Sequence, residues 1–106
     1  MKFIYVTCNI AKLEQVLELL KELNIRSYQV IENVNAVMPS GNPRMNSAVW
    51  PGSNSIVAVQ ADKNETAEFF DRLKRMNCEI VNENERVLAV SWDCEKFLYS
   101  EDGGEK

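Results

Sequence analysis

The sequence predicts an α+β domain in which a four-stranded antiparallel sheet carries two helices on one face. Three observations predict it: two runs that are apolar on both alternating faces, two segments with helical periodicity, and the order of these elements along the chain. The order is strand–helix–strand, a long connection, then strand–helix–strand. Two right-handed βαβ-type halves of this kind build the ferredoxin-like βαββαβ arrangement.

The first half of the chain supplies a strand, a helix and a second strand. Residues 2–8 are apolar on both faces, which is typical of a central strand covered on both sides. Asn9 is the predicted N-cap of the following helix, and Asn24 is its predicted stop. Residues 28–37 are rich in β-branched side chains and predict a partly exposed second strand. The helix carries one apolar stripe, made of Leu13, Val16, Leu17, Leu20 and Leu23.

The second half repeats this order. Residues 55–61 are apolar on both faces and predict another central strand. Asn64 is the predicted cap of a helix over 65–76, and residues 86–92, after the polar turn 82–85, predict the last strand. The predicted inward positions of this helix are Ala67, Phe69, Phe70, Leu73 and Met76. Residues 1–99 are therefore predicted to form a single domain, and the Gly- and Glu-rich tail 100–106 is predicted to be disordered.

Charge and composition exclude several classes of protein. The chain has 106 residues and a net charge of −4, and its largest basic cluster, 72–75, is expected to be a solvated helix face. A general nucleic-acid binder needs a positive surface instead. No apolar run approaches the ~20 residues that span a bilayer, and residues 1–8 are too short for a signal peptide. Three cysteines without close spacing make a poor disulfide framework, so the predicted location is the cytoplasm.

One face of the predicted sheet needs a cover. The runs 2–8 and 55–61 are apolar on both sides, but the two helices can bury only one side. A large exposed apolar surface typically marks an interaction site. The pattern therefore predicts a homo-oligomer.

The long connection, residues 38–54, has neither helical nor strand periodicity. It contains all three prolines of the chain, Gly41 and Gly52, together with Arg44 and Trp50. Loops longer than about a dozen residues tend to be functional or disordered. We predict a binding loop in which Arg44 forms a fork for a phosphate or carboxylate, unless it is an exposed arginine without a specific role. Trp50 either packs against the loop base or a neighbouring subunit, or contacts a ligand.

Together these segments resemble the PII superfamily of trimeric, ferredoxin-like signalling proteins. The resemblance is clearest in residues 1–4, in the Lys-Leu-acidic-x-Val helix over 12–25 and in the strand 28–34. Segment 38–54 occupies the place of the family's T-loop and is shorter. Trp50-Pro51-Gly52 before an apolar strand is similar to the Trp-Pro-Gly of divergent PII-like proteins and, to a lesser extent, to the tryptophan of the related CutA trimers.

The resemblance implies a homotrimeric regulatory or sensor protein. Such a protein binds a small anionic effector in clefts between subunits, with ATP, ADP and AMP as candidates, and signals through segment 38–54 to a partner protein. The ligand-binding residues implied are Arg44, Trp50, Gly52 and Arg86, of which Arg86 falls where the family has a phosphate-contacting lysine. The turn 82–85 differs from the family's glycine-rich loop, because it has no glycine and carries two glutamates that repel a phosphate.

Catalysis finds no support in the sequence. The chain has no histidine, which excludes a Ser–His or Cys–His nucleophile pair, so we predict that the protein is not an enzyme. The alternative function is a CutA-like trimer that binds a soft metal ion through Cys8, Cys78 and Cys94, or that has a structural or adaptor role. Burial as small hydrophobic side chains is the favoured interpretation of these cysteines.

Overall fold

A computed structural model describes residues 1–39, 43–44 and 53–99. The sheet has the strand order β2-β5-β1-β6 and all of its pairings are antiparallel. Both helices pack on one face of it, so the predicted fold class is confirmed. The elements in chain order are β1 (Lys2–Asn9), α1 (Ile10–Glu22), β2 (Ser27–Val34), β3 (Ala36–Val37), β4 (Pro43–Arg44), β5 (Asn54–Ala61), α2 (Lys63–Glu79), a 3-10 turn (Glu83–Glu85) and β6 (Leu88–Asp93).

The core lies between the sheet and the two helices. Alternate residues of β1, namely Ile4, Val6 and Cys8, face the helices and are fully buried, as are Val57 and Val59 of β5. Because β1 and β5 occupy the two central positions, the prediction of two central strands is confirmed. The predicted apolar stripe of α1 also packs there: three of its members are buried, and Leu17 and Leu23 are half-buried against the same cluster.

The ends of α1 follow the sequence prediction. The Asn9 side chain accepts a hydrogen bond of 2.9 Å from the N–H of Ala11, which satisfies one of the free donors of the first turn. After the last turn, Asn24 has a φ of 61°. Asparagine tolerates this left-handed conformation better than most residues, so it ends the helix at little cost.

The start of α2 differs from the prediction. Its N-cap is Asp62, not Asn64: the Asp62 carboxylate accepts from the N–H of Glu65 at 2.7 Å, and the Glu65 carboxylate accepts from the N–H of Asp62 at 3.0 Å. This reciprocal capping box satisfies two donors at once, which a single asparagine cap cannot do. The helix therefore begins at Lys63 and continues to Glu79. With this phase Thr66 is buried, and Ala67, predicted to face inward, is exposed.

We expect Asp62→Ala to lower the free energy of unfolding by about 1 kcal/mol, the usual loss for an aspartate N-cap. The matched control is Asn64→Ala, because Asn64 lies inside the first turn and makes no cap. Urea denaturation followed by circular dichroism measures both. A larger loss in Asn64→Ala than in Asp62→Ala would show that Asn64 caps the helix.

Two strand boundaries also differ. The predicted strand 28–37 is divided at Asn35: β2 ends at Val34, just after Asn33, which has a φ of 64°, and after the shift of the β2–β5 register between Glu32 and Val34. Ala36–Val37 then pairs with Pro43–Arg44 as a separate two-stranded ribbon, so segment 38–54 contains a short strand that its sequence did not predict. The last strand begins at Leu88 because the backbone of Val87 is bound by a side chain of α2, as described below.

The sheet face opposite the helices is exposed over part of its area in the residues that the structure describes, whereas the cross-strand pair Thr7 and Ile56 on the same face is buried. On its β1–β6 half lie Tyr5, Val90 and Trp92, whose side chains are 42%, 46% and 50% exposed, and the rings of Phe3 and Trp92 lie 5.1 Å apart. On the β2–β5 half, Gln29 and Gln60 exchange two side-chain hydrogen bonds of 3.0 and 3.1 Å. We call this surface the open sheet face. The uncovered apolar side that the sequence predicts is thus present.

Candidate functional site

Arg86 and the start of segment 38–54 line the same cavity. This cavity, of about 380 Å³, is bounded by Met38, Pro39, Asn77, Glu83, Arg86, Val87 and Leu88. We call it the loop-base cavity. It lies at the end of the sheet where β6 begins and where the long connection leaves the sheet. The structure therefore brings one predicted ligand-binding residue next to the predicted binding loop.

Two sets of hydrogen bonds position Arg86. In the 3-10 turn, the N–H of Glu85 donates to the carbonyl of Asn82 at 2.9 Å, and the N–H of Arg86 donates to that of Glu83 at 3.2 Å. On the other side, the amide of Asn77 donates to the carbonyl of Val87 at 2.9 Å and accepts from its N–H at 2.8 Å. We call this pair of bonds the Asn77 clamp. Together they fix the backbone on both sides of the arginine.

These bonds determine which groups are available to an anion. The N–H groups of Glu85, Arg86 and Val87 all donate within the protein, so they are not free to bind a phosphate in this conformation. The positive charge at the cavity is the Arg86 side chain, and Glu83 contributes a carboxylate to the same lining. Glu85 lies 3.7 Å from the ammonium of Lys12, which offsets its charge. The arrangement favours an anion of low charge.

The other predicted ligand-binding residues are placed only in part. The backbone of Arg44 pairs with Ala36 in the β3–β4 ribbon, two residues before Met38 in the chain. Trp50 and Gly52 lie outside the described residues. A role of these three residues in binding stays a prediction.

The cysteines do not converge within one chain. Cys8 is buried at one end of β1, whereas the N–H of Cys94 donates to the carbonyl of Met1 at the other end. Six residues of strand separate those ends, or about 20 Å. Cys78 is exposed in the last turn of α2. Among the described residues, no group of three or more His, Cys, Asp or Glu could hold a metal ion. The alternative soft-metal site stays a prediction that needs thiols from several subunits.

Asp93 has a shifted pKa, but it lies far from the loop-base cavity. Its carboxylate is 2.7 Å from the ammonium of Lys2, and this hydrogen bond and the positive charge of Lys2 lower the pKa of Asp93. The pair joins β1 to β6 at the end where Cys94 lies. It therefore marks a strand contact, not a ligand site.

Asn77 is a residue of the site that sequence reasoning missed. An asparagine near the end of a helix has no pattern that distinguishes it from a surface residue, and its partner lies ten positions along the chain. Its side chain is half-buried, so both bonds to Val87 are shielded from water.

We expect Asn77→Leu to destabilise the protein by about 1–3 kcal/mol, because both polar groups of the Val87 backbone lose their partner. Hydrogen exchange at the Val87 amide should accelerate. Asn77→Asp is the matched control: it keeps an acceptor for the N–H but places a carboxylate oxygen against the carbonyl, so an intermediate effect is expected. Unchanged exchange in Asn77→Leu would contradict the role of the clamp.

Comparison with known proteins shows which other proteins share this fold. No protein-family model and no curated protein sequence matches the chain. Among solved structures, CPII from Thiomonas intermedia K12, a nitrogen regulatory PII-like protein, superposes with a TM-score of 0.69 at 10% sequence identity, covering 86% of this chain and 82% of the other. The chain has the fold of PII-like proteins. The resemblance seen in the sequence is thus confirmed at the level of the fold.

Two further structures agree. A second structure of CPII superposes with a TM-score of 0.66 at 9% identity, over 85% of this chain and 81% of the other. A protein from Thermus thermophilus, classed with PII-like signalling proteins, gives a TM-score of 0.59 at 14% identity, over 86% and 82%. In these two structures CPII is bound to ADP and AMP, with bicarbonate in one and acetate in the other. In the described part of this chain, no helix is long and apolar enough to cross a membrane.

Proposed function

We propose that the protein is a PII-like regulatory protein that assembles as a homotrimer and binds a small anionic ligand in clefts between subunits. The observation that carries this proposal is the loop-base cavity, which places Arg86 beside Met38 and Pro39 at the start of segment 38–54. A ligand held by the arginine therefore contacts the loop that would carry the signal to a partner protein.

The open sheet face supports assembly. Three large residues, Tyr5, Val90 and Trp92, form a row across β1 and β6, and each keeps roughly half of its surface exposed in the described part of the chain. Burying apolar surface is worth roughly 25 cal/mol per Å², so removing this row from water stabilises a complex. The row lies on the face without helices, and the loop-base cavity lies at the edge of the sheet. A subunit that packs on this face would therefore leave the cavity open and complete a cleft beside it.

Adenine nucleotides are the first candidates for the ligand. CPII, which shares the fold, binds ADP and AMP. In this chain the turn before β6 offers an arginine side chain in place of free backbone donors, and Glu83 lies in the same lining. A monophosphate is therefore favoured over a triphosphate, whose extra charge would meet no further cation on the described wall. Arg44, Trp50 and Gly52 are proposed to complete the site from the loop.

Signalling requires a ligand that prefers one state of the loop over another. A ligand in the loop-base cavity contacts Met38 and Pro39. Its binding free energy therefore depends on the conformation of these first two residues of the loop. Ordering of a segment on binding is a common way to create or remove a docking surface. We propose that segment 38–54 acts in this way.

The test is thermal unfolding of the wild type and of Arg86→Ala with AMP, ADP and ATP. A ligand at about 100 times its Kd adds roughly 2.7 kcal/mol of stability. Loss of a charged hydrogen bond worth about 1.5–3 kcal/mol should weaken binding by roughly 10- to 100-fold in Arg86→Ala. Arg75→Ala is the control, since Arg75 is an exposed arginine paired with Asp71 on α2. No shift with any nucleotide at millimolar concentration, or equal shifts in both variants, would contradict nucleotide binding at this site.

A further inference from the structure

A second cavity lies on the other side of Arg86, between α2 and β6. It has a volume of about 460 Å³, within the range of small-molecule sites. Unlike the loop-base cavity, it contains no residue of segment 38–54 among the described residues that line it. We call it the α2–β6 cavity. Its lining consists of Phe70, Leu73, Lys74, Asn77, Cys78, Arg86, Val87 and Ala89.

The floor of the α2–β6 cavity is apolar and belongs to the protein core. Leu73 and Val87 are 3% and 7% exposed, and the half-buried Phe70 and Ala89 pack against the same cluster. The Asn77 clamp joins the helix wall to the strand wall, so the floor is held in one shape. A preformed apolar floor of this kind suits a hydrocarbon group.

The rim carries positive charge. Lys74 and Arg86 line the cavity, and no carboxylate of the described chain does, although the sequence has 16 acidic and 12 basic residues. The neighbouring acid on the helix, Asp71, pairs with Arg75 at 3.0 Å. Lys74 has no carboxylate partner among the described residues. Its charge is therefore available at the mouth of an apolar cavity.

We propose that the α2–β6 cavity is a second binding site, for a small amphipathic anion such as a monocarboxylate with an apolar chain. The carboxylate meets Lys74 and Arg86, and the hydrocarbon lies on Phe70, Leu73 and Ala89. The site does not depend on the proposed function. Because Arg86 lines both cavities, an anion in one should weaken an anion in the other, and this consequence does rest on the proposed function.

Octanoate is the probe, and octanol is the neutral control of equal chain length. Titrated into the full ¹⁵N-labelled chain, octanoate should give saturable shifts of the amides of Lys74, Cys78 and Ala89, with octanol at least tenfold weaker. Equal binding of octanol, a response that does not saturate, or shifts confined to Tyr5, Val90 and Trp92 of the open sheet face would overturn the proposal.

Three variants test the assignment. Lys74→Glu reverses the charge at the rim and should weaken octanoate at least tenfold; Lys74 is exposed, so the fold is retained. Ala89→Phe fills the cavity and should abolish binding. The control is Lys63→Glu, the same charge change about 16 Å away along α2. An unchanged octanoate Kd in Lys74→Glu would overturn the proposal by itself, even if Ala89→Phe failed to fold.

The two sites fail separately. Lys74→Glu should keep the nucleotide affinity of the wild type, whereas Arg86→Ala should lose affinity for both ligands. Nucleotide binding without octanoate binding would overturn the second site alone. Octanoate binding without nucleotide binding would overturn nucleotide recognition at the loop-base cavity and leave the α2–β6 cavity as assigned.

Discussion

Phe69→Ala is expected to lower the free energy of unfolding by about 3–5 kcal/mol, the usual range for truncating a buried phenylalanine. Phe69 is the largest fully buried side chain of the described residues and belongs to the cluster that joins α2 to β1 and β5. The change removes most of a ring and leaves a cavity that the rigid sheet cannot close. Since a domain of this size is stable by about 5–15 kcal/mol, the variant should be close to unfolding at 37 °C.

The neighbouring phenylalanine provides the matched control. Phe70 is half-buried at the α2–β6 cavity, so Phe70→Ala leaves a surface dent in place of a closed void, at a loss of about 1–2 kcal/mol. Urea denaturation at one protein concentration compares the two, because assembly would make stability concentration-dependent. A larger loss in Phe70→Ala would show that α2 packs on the sheet through its other side.

Val90→Asp is expected to convert the proposed trimer to monomers. Val90 lies opposite Tyr5 on the open sheet face, in the row that ends at Trp92. Burying an unpaired carboxylate between subunits costs several kcal/mol. We expect this loss of association free energy to be large enough to dissociate the trimer at micromolar protein concentration. The folded monomer should survive, because the Val90 side chain is 46% exposed within one chain. Sedimentation or light scattering measures the mass.

Ser91→Asp is the control for this effect. Ser91 is the next residue of β6, is exposed, and pairs with Ile4 on the side of the sheet that faces the helices. The variant adds the same charge one residue away without placing it on the open sheet face. A wild type that is monomeric throughout, or a Val90→Asp variant that keeps the mass of the wild type, would contradict assembly through this face.

The sheet and α1 could be predicted because their signals are local. Two runs with apolar residues on both faces occupy the centre of the sheet, and a five-member apolar stripe packs where its spacing predicts. Asn9 and Asn24 each stand at the end of α1 without a competing residue nearby. For such elements the sequence pattern and the tertiary packing agree.

The sequence predictions are wrong where two residues can cap the same helix, or where the residue that fixes a strand boundary is distant in the sequence. Asp62 and Asn64 can both cap a helix, and the reciprocal bond with Glu65 decides for Asp62. The start of β6 depends on Asn77, whose bonds to Val87 take the place of strand pairing. The β3–β4 ribbon joins residues on either side of a turn that has no strand pattern.

Of the residues that line the loop-base cavity, the sequence pointed to Arg86 and to the start of segment 38–54, but not to Asn77 or to the shape of the cavity. Arg86 was found from a resemblance, and its neighbourhood with Met38 and Pro39 depends on how the ends of the sheet meet. The α2–β6 cavity has no linear signature, since Lys74 and Arg86 approach it from a helix and from a turn. Cavities are formed by packing between elements, so the sequence of either element alone does not contain them.

The paired amides of Gln29 and Gln60 have a consequence for the geometry of assembly. Each donates to the other, and the Ser27 hydroxyl also donates to Gln60 at 2.6 Å, so this polar patch can remain in water without loss, although Ile31 further along the same half is an exposed apolar side chain. The half around Trp92 exposes apolar side chains that have no such hydrogen bonds, so its exposure to water is unfavourable. Two flat, uniformly apolar surfaces would stack in many orientations, including ones that propagate into aggregates. On a surface divided in this way, a second copy buries the most apolar area only when it packs on the β1–β6 half. The division therefore restricts the orientation of the two subunits as well as favouring their association.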